Sequence, residues 1–274
     1  MRDSPCVAFL QWALPRLRMR WPGFRKVRRQ VCKRLARRLQ ALGLSDLDAY
    51  RSFLGRNPEE WAVLDGMCRV TISRFYRDRA VFDLLRARIL PTLGRIVRDA
   101  GDPRMLRVWS AGCASGEEPY SVSLCWALDA ADRARGVRLD IVGTETDAHL
   151  LDRAREACYP AGTLKDLPAA WRRVAFSEED GAFCLRPGHR APVRFLRQDI
   201  REEAPPGAFE LILCRNLVFT YFEAELQRAM LRRLLGHLVV GGFLLVGGHE
   251  APPDHEALIQ PFGARPVYRK IIPP

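Results

Sequence analysis

Residues 108–121, VWSAGCASGEEPYS, place a strand, a turn of small residues and a helix start in one short run. Leu106 to Trp109 reads as a buried strand, Ala111 to Gly116 offers glycine and small side chains where a ligand can approach the backbone, and Glu117 and Glu118 open a helix. A strand, a tight turn and a helix in that order is how a parallel sheet holds a nucleotide-type cofactor. The turn lacks a full dinucleotide glycine fingerprint, and two carboxylates at the helix start repel a pyrophosphate, so the expected bound group is not a phosphate. An acidic first turn also stabilises any helix N-terminus, which leaves Glu117 and Glu118 open to a purely structural reading on this run alone.

Further polar clusters follow at strand ends. Leu139 to Thr144 is apolar and ends in Glu145-Thr146-Asp147 before a helical segment from Ala148 to Ala157. A carboxylate at the end of the second strand accepts hydrogen bonds from a ribose diol, which makes Glu145 the candidate. Val193 to Leu196 leads into Gln198-Asp199, and Phe209 to Cys214 is a continuous buried-strand run ending in Arg215-Asn216. Phe243 to Val246 is entered through Gly241-Gly242 and left through Gly247-Gly248-His249-Glu250. Every cluster sits at a strand's carboxyl end, where open α/β sheets build their sites.

These segments resemble the CheR-type family of S-adenosylmethionine-dependent methyltransferases, which esterify glutamate side chains on chemotaxis receptors. The resemblance is carried, in the family's order, by SRFYRD (73–78), SAGCASGEEPYS (110–121), GTETD (143–147), FELILCRN followed by YF (209–222) and GGHE (247–250). An upstream stretch, RRQVCKRLARRLQALGLSDLDAYRSFL, resembles the family's N-terminal helical domain. The implied fold is α/β: a Rossmann-like class I methyltransferase sheet with an all-α N-terminal domain and a small antiparallel β insertion. The expected domains are residues 1–76 (basic, helical, with the linker) and 77–274 (methyltransferase), the insertion lying at about 159–194.

The resemblance implies roles residue by residue. Thr71, Ser73 and Arg77 match a short element over the methyl donor, and Arg77 is the expected catalytic residue. A carboxylate nucleophile is already ionised at neutral pH, so it needs alignment and exclusion of water rather than a general base, and a guanidinium fork supplies the alignment. An ion pair of Arg77 with Asp78 at the domain junction is the plainer alternative. Gly112 and Glu117 match the cofactor turn and the acid after it, Glu145 the ribose-binding acid where aspartate is usual, and Asp199 with Ile200 the adenine-side pair. Arg215 and Asn216 match the family's Arg-Asn pair beside the methionyl part of the donor; an arginine at a strand end also reads as a structural partner for a helix C-terminus. The family usually places a tyrosine four positions after that asparagine, whereas here Tyr221 stands at the fifth, so either Tyr221 or Thr220 takes that place. Thr71 is a second departure, from asparagine. Three outcomes stay open: methylation of receptor glutamates, of a small molecule's carboxyl or hydroxyl group, and a non-catalytic cofactor-binding adaptor.

Composition sets bounds. A chain of 274 residues with 48% hydrophobic residues suits one substantial core plus a smaller domain. Eight cysteines without a C-x-x-C pair read as reduced, buried thiols of a cytoplasmic protein, and they imply no metal. The apolar run around Val7 to Leu14 is short and followed by arginines, which fits neither a signal peptide nor a membrane span. Before Asn57 the basic residues far outnumber Asp3, Asp46 and Asp48, and they supply most of the net charge of +12. From Arg25 to Leu42, Val27, Val31, Leu35, Leu39 and Leu42 recur at helical spacing with most arginines on other faces. The expected partner is an acidic helical protein, by resemblance a chemoreceptor cytoplasmic domain, the plainer alternative being a solvated helix in an arginine-rich protein. Without a stacking platform the patch does not read as a nucleic-acid site. A monomer is expected. Within the insertion, Phe183 to Leu185 and Val193 to Phe195 are expected to form a hairpin around Pro187-Gly188. His189 and His249 are lone and read as structural or solvated.

Overall fold

The computed structural model describes residues 3–101, 104–130, 135–254, 257–263 and 266–272, so Arg2 of the basic segment lies outside the described residues. The chain forms two compact units: residues up to 72 together with 220–227, and 73–219 together with 228–274.

The first unit is helical. Its main helices are Asp3–Ala13, Arg28–Leu42, Leu47–Arg56 and Glu60–Cys68. Arg28–Leu42 stops where Gly43 turns left-handed at φ 66°, and Asp46 caps the next helix by accepting from the Ala49 amide at 2.8 Å. Val31, Leu35 and Leu39 face inward with Phe9, Leu10, Tyr50 and Leu54, as the helical spacing predicts. Buried Glu60 is held by a two-pronged bond from Arg38 (2.8 and 2.5 Å) and by the Tyr50 hydroxyl at 2.6 Å. Burial pushes the Tyr50 hydroxyl's pKa up, while the Arg38 bond holds the Glu60 carboxyl below the usual range.

The second unit is built on a seven-stranded sheet. In chain order the strands of this unit are β1 (Met105–Ala111), β2 (Arg138–Glu145), β3 (Cys158–Tyr159), β4 (Phe176–Glu179), β5 (Ala182–Leu185), β6 (Val193–Arg197), β7 (Phe209–Leu213), β8 (Leu238–Leu245), β9 (Ile259–Pro261) and β10 (Val267–Lys270). The sheet order is β6-β2-β1-β7-β8-β10-β9. The first five of these strands pair in parallel, while β10 runs antiparallel to β8 and to β9. The chain winds outward from β1 to β2 and β6, then crosses back to β7, so the topological switch point lies between β1 and β7, where such sheets bind ligands. Leu106, Val108, Trp109, Leu211, Ile212 and Leu213 are buried, as strands covered on both faces require. This is the expected Rossmann-like arrangement.

The insertion is a three-stranded antiparallel sheet, β3-β5-β4. Its hairpin differs from the expected one. β5 turns back on β4 through Asp180-Gly181, both left-handed (φ 48° and 76°), while Val193 to Phe195 belongs to β6, parallel to β2. Asp-Gly suits the tight two-residue turn that matches strand twist, and Pro187 instead starts a short helical turn, Pro187–Arg190.

The cysteine expectation is also corrected: Cys6 is bonded to Cys32 and Cys158 to Cys184, while Cys68, Cys113, Cys125 and Cys214 are buried thiols. Each bonded pair stands 26 residues apart, and Cys158 and Cys184 meet only because β3 and β5 bring them into register.

Candidate functional site

The carboxyl ends of β1, β2, β7 and β8 converge around the turn at 112–116. Gly112 (φ 75°), Ala114 (φ 53°) and Gly116 (φ 89°) are left-handed. A Cβ at Gly112 would stand 2.6 Å from Leu217 Cδ2, and its left-handed backbone strains any other residue. The Gly112 and Cys113 amides both donate to the Thr144 carbonyl at 2.9 Å, which fixes the turn against the end of β2.

Glu145 lies at the end of β2. Its Oε2 accepts from the Ala114 amide at 3.1 Å, and its Oε1 from the Thr146 amide (2.7 Å), the Thr146 hydroxyl (3.1 Å) and the Asp147 amide (3.3 Å), so this carboxylate braces the turn and keeps acceptor capacity for a ribose hydroxyl on Oε2. Glu117, at the first position of helix Glu117–Cys125, is 2% exposed. Burial pushes its carboxyl pKa up, while the neighbouring Ser73 and Ser115 side chains favour the charged form. Its Oε2 is buried with no hydrogen-bond partner. Glu118, the next residue, instead spends both oxygens on the protein, Oε1 accepting from Ser110 Oγ at 2.7 Å and Oε2 from Arg215 at 3.0 Å.

Phe75 and Tyr76, the aromatic pair of SRFYRD, are fully buried. Phe75 meets Tyr159 and Phe176 edge-on, and the Tyr76 amide donates to Ser121 Oγ at 2.9 Å. That packing delivers Arg77 to the sheet, where its Nη2 donates to Asn216 Oδ1 at 3.1 Å. Asn216 is left-handed (φ 55°), and its amide donates to Glu250 Oε2 at 2.7 Å; the Gly247 amide donates to the same oxygen at 2.6 Å. Glu250 thereby ties the ends of β7 and β8 together. Arg215 directs Nη2 to the Arg77 carbonyl (2.9 Å) and to Asp78 Oδ2 (2.6 Å).

The structure thus brings together Ser73, Arg77, Gly112, Glu117, Glu145, Arg215 and Asn216. Asp199 forks onto Arg201 at 2.7 Å, and Ile200 is buried beside it. Thr71, exposed, and Tyr221 belong to the first unit, where Tyr221 packs on Phe24 with ring centres 5.0 Å apart. Thr220 likewise belongs there, its carbonyl accepting from Arg20 at 3.1 Å. His249 is exposed; His189 is half-buried, and burial lowers its pKa. Sequence reasoning assigned no site role to Glu118, Asp78 or the Glu250 carboxylate, because nothing in their spacing shows which donor each one meets.

The family described as CheR methyltransferase, SAM binding domain, matches residues 71–267. The chain belongs to this family. Among curated relatives, a chemotaxis protein methyltransferase of Listeria innocua is 35% identical over 182 residues, 66% of this chain and 65% of that protein. One from Salmonella typhimurium is 31% identical over 246 residues, 87% of this chain and 80% of that one. An uncharacterised 104.1 kDa protein of Rhodobacter capsulatus is 31% identical over 222 residues, 81% of this chain but 23% of that protein. The chain therefore spans less than two thirds of the length of the Listeria and Rhodobacter relatives.

The CheR family implies S-adenosylmethionine, and the residues present fit it. Its amino-acid end carries an ammonium and its ribose a diol, both of which need acceptors. Glu117 presents a buried carboxylate oxygen without a partner, and Glu145 presents a carboxylate at the end of the second strand. Among the described residues no group of His, Cys, Asp and Glu is arranged to hold a metal ion.

Proposed function

We propose that this chain transfers a methyl group from S-adenosylmethionine to glutamate side-chain carboxylates of a chemoreceptor-like protein, giving glutamate methyl esters and S-adenosylhomocysteine. The observation that carries the reading is Arg77, seated on Asn216 at the switch point of a CheR-family sheet, one strand away from the orphaned Glu117 oxygen. When bound, the donor supplies an electrophilic methyl on a sulfonium. Glu117 and Glu145 hold its ammonium and ribose, with Gly112 at the turn, Ser73 orienting Glu117, and Asp199 with Ile200 on the adenine side. Arg77 grips the incoming carboxylate through charge-assisted hydrogen bonds and aims one oxygen at the reacting carbon. No proton moves, since the carboxylate enters ionised.

The partner is an acidic helical surface. Support comes from Arg29, Lys33 and Arg37, which recur every fourth residue on helix Arg28–Leu42 and are all exposed, giving that helix one basic stripe. We place the enzyme in the cytoplasm as a monomer. Among the described residues no helix is long and apolar enough to cross a membrane. The two disulfides set a condition on that placement, because cytosolic thiol pools keep most such pairs reduced.

The test is titration with S-adenosylmethionine followed by labelled methyl transfer to receptor cytoplasmic fragments. Base-labile label on protein that disappears in Arg77→Ala supports the reading. Donor binding with label only on small molecules, or with none at all, overturns it in favour of the small-molecule or adaptor alternative.

A further inference from the structure

We propose that Arg215 is a positioning residue: its guanidinium, anchored on Glu118, sets Arg77 through the main chain of residues 76–78. This rests on the reading of Arg77 as the group that holds a substrate carboxylate.

The Arg215 side chain is 2% exposed; its two terminal nitrogens are spent on protein partners, while Nε is buried without a hydrogen-bond partner. Nη1 donates to Glu118 Oε2 at 3.0 Å; Nη2 donates to the Arg77 carbonyl at 2.9 Å and to Asp78 Oδ2 at 2.6 Å. The guanidinium also lies 5.3 Å from the centre of the Phe82 ring. Since the other Glu118 oxygen accepts from Ser110, one cation joins the ends of β1 and β7, the start of helix Glu117–Cys125 and the segment bearing Arg77.

The segment needs such a clamp. Tyr76 (φ 58°) and Asp78 (φ 63°) flank Arg77 on both sides in the left-handed region, which non-glycine residues keep only where their surroundings over-determine it. A buried ion pair is weak support for stability, because desolvation offsets its Coulomb attraction. What this one provides is a fixed place for the Arg77 carbonyl, and hence for the side chain that donates to Asn216. Lysine at 215 cannot replace it, since a point charge lacks the planar fork that reaches Glu118 and the Arg77 carbonyl together.

The experiment compares Arg215→Lys and Asp78→Asn with the wild-type chain. Asp78→Asn is the milder variant, its side chain being 38% exposed, and it keeps the test alive if Arg215→Lys does not fold. Hydrogen exchange of the peptide covering 73–84, donor affinity, and kcat and KM on a receptor fragment are read for each. The expected result is faster exchange confined to residues 76–78, donor affinity within threefold, and kcat/KM for Arg215→Lys lower by about 100-fold. In an Arg77→Ala background, Arg215→Lys should cost less than about twofold more, because both changes remove the same interaction. Unchanged exchange, a matching fall in donor affinity, or additive losses would overturn the proposal. If the wild type methylates no carboxylate, the functional reading fails by itself, and the exchange data still decide whether Arg215 holds the segment.

Discussion

Replacing Glu117 by glutamine should move stability and donor binding in opposite directions. The carboxylate is 2% exposed, its Oε2 has no partner, and burial raises its pKa. A raised pKa means that the folded chain binds more protons than the unfolded chain between the ordinary carboxylate value and the raised one. Ligand-free stability therefore falls as pH rises through that window. Glutamine keeps the shape, removes the buried charge and should stabilise the ligand-free protein at neutral pH by about 1 kcal/mol, or roughly 2 °C in Tm for a chain of this size. It should also flatten the pH slope. The ammonium of the donor then loses a charge-assisted bond of about 2 kcal/mol, which raises its Kd about 30-fold. Titration calorimetry with S-adenosylmethionine and S-adenosylhomocysteine, together with thermal melts from about pH 4 to pH 8, reads both effects. A Kd within about threefold of wild type, or a melting temperature that drops, would refute the assignment of Glu117 as the ammonium acceptor.

Glu60→Ala should cost about 3 kcal/mol in urea denaturation, because it strands Arg38 and the Tyr50 hydroxyl. Since Arg38 holds the Glu60 pKa down, the contribution of that pair is present above the ordinary carboxylate pKa and is lost as pH falls through the lowered one, so the gap between variant and wild type should close in acid. Phe75→Ala should cost about 4 kcal/mol by emptying the pocket between Tyr159 and Phe176, measured by chemical denaturation. Cys6→Ser should lower stability by about 3.5 kcal/mol, the loop-closure value for a separation of 26 residues, and a dithiol reductant should then act only through the remaining Cys158–Cys184 bond.

What was legible in the chain was what local chemistry dictates. The strands ending at Ala111, Glu145 and Leu213 announced themselves as apolar runs, and the 112–116 turn as small residues that tolerate left-handed backbone. The hairpin was misplaced because Pro187-Gly188 is as good a turn signal as Asp180-Gly181; choosing between them depends on which strand Val193 pairs with, and that is a long-range fact. The disulfides were missed for the same reason, since Cys158 and Cys184 become neighbours only through strand register. The strand-end position of Arg215 points to the cofactor, yet its charge is spent on Glu118 and Asp78. Asp199 likewise carries an Arg201 fork that its strand-end position does not reveal. Nor does position 221 tell that residues 220–227 pack into the helical unit, with Tyr221 on Phe24.

The most direct test of the central claim is peptide mapping by mass spectrometry of a receptor cytoplasmic fragment after turnover with S-adenosylmethionine, using the wild-type chain and Arg77→Ala. The account predicts one added methylene on glutamate side chains, removed by mild base, formed by the wild type and lost by at least about 100-fold in the variant. Methylation on a residue other than a carboxylate, or glutamate methylation that survives Arg77→Ala at an unaltered rate, would contradict it.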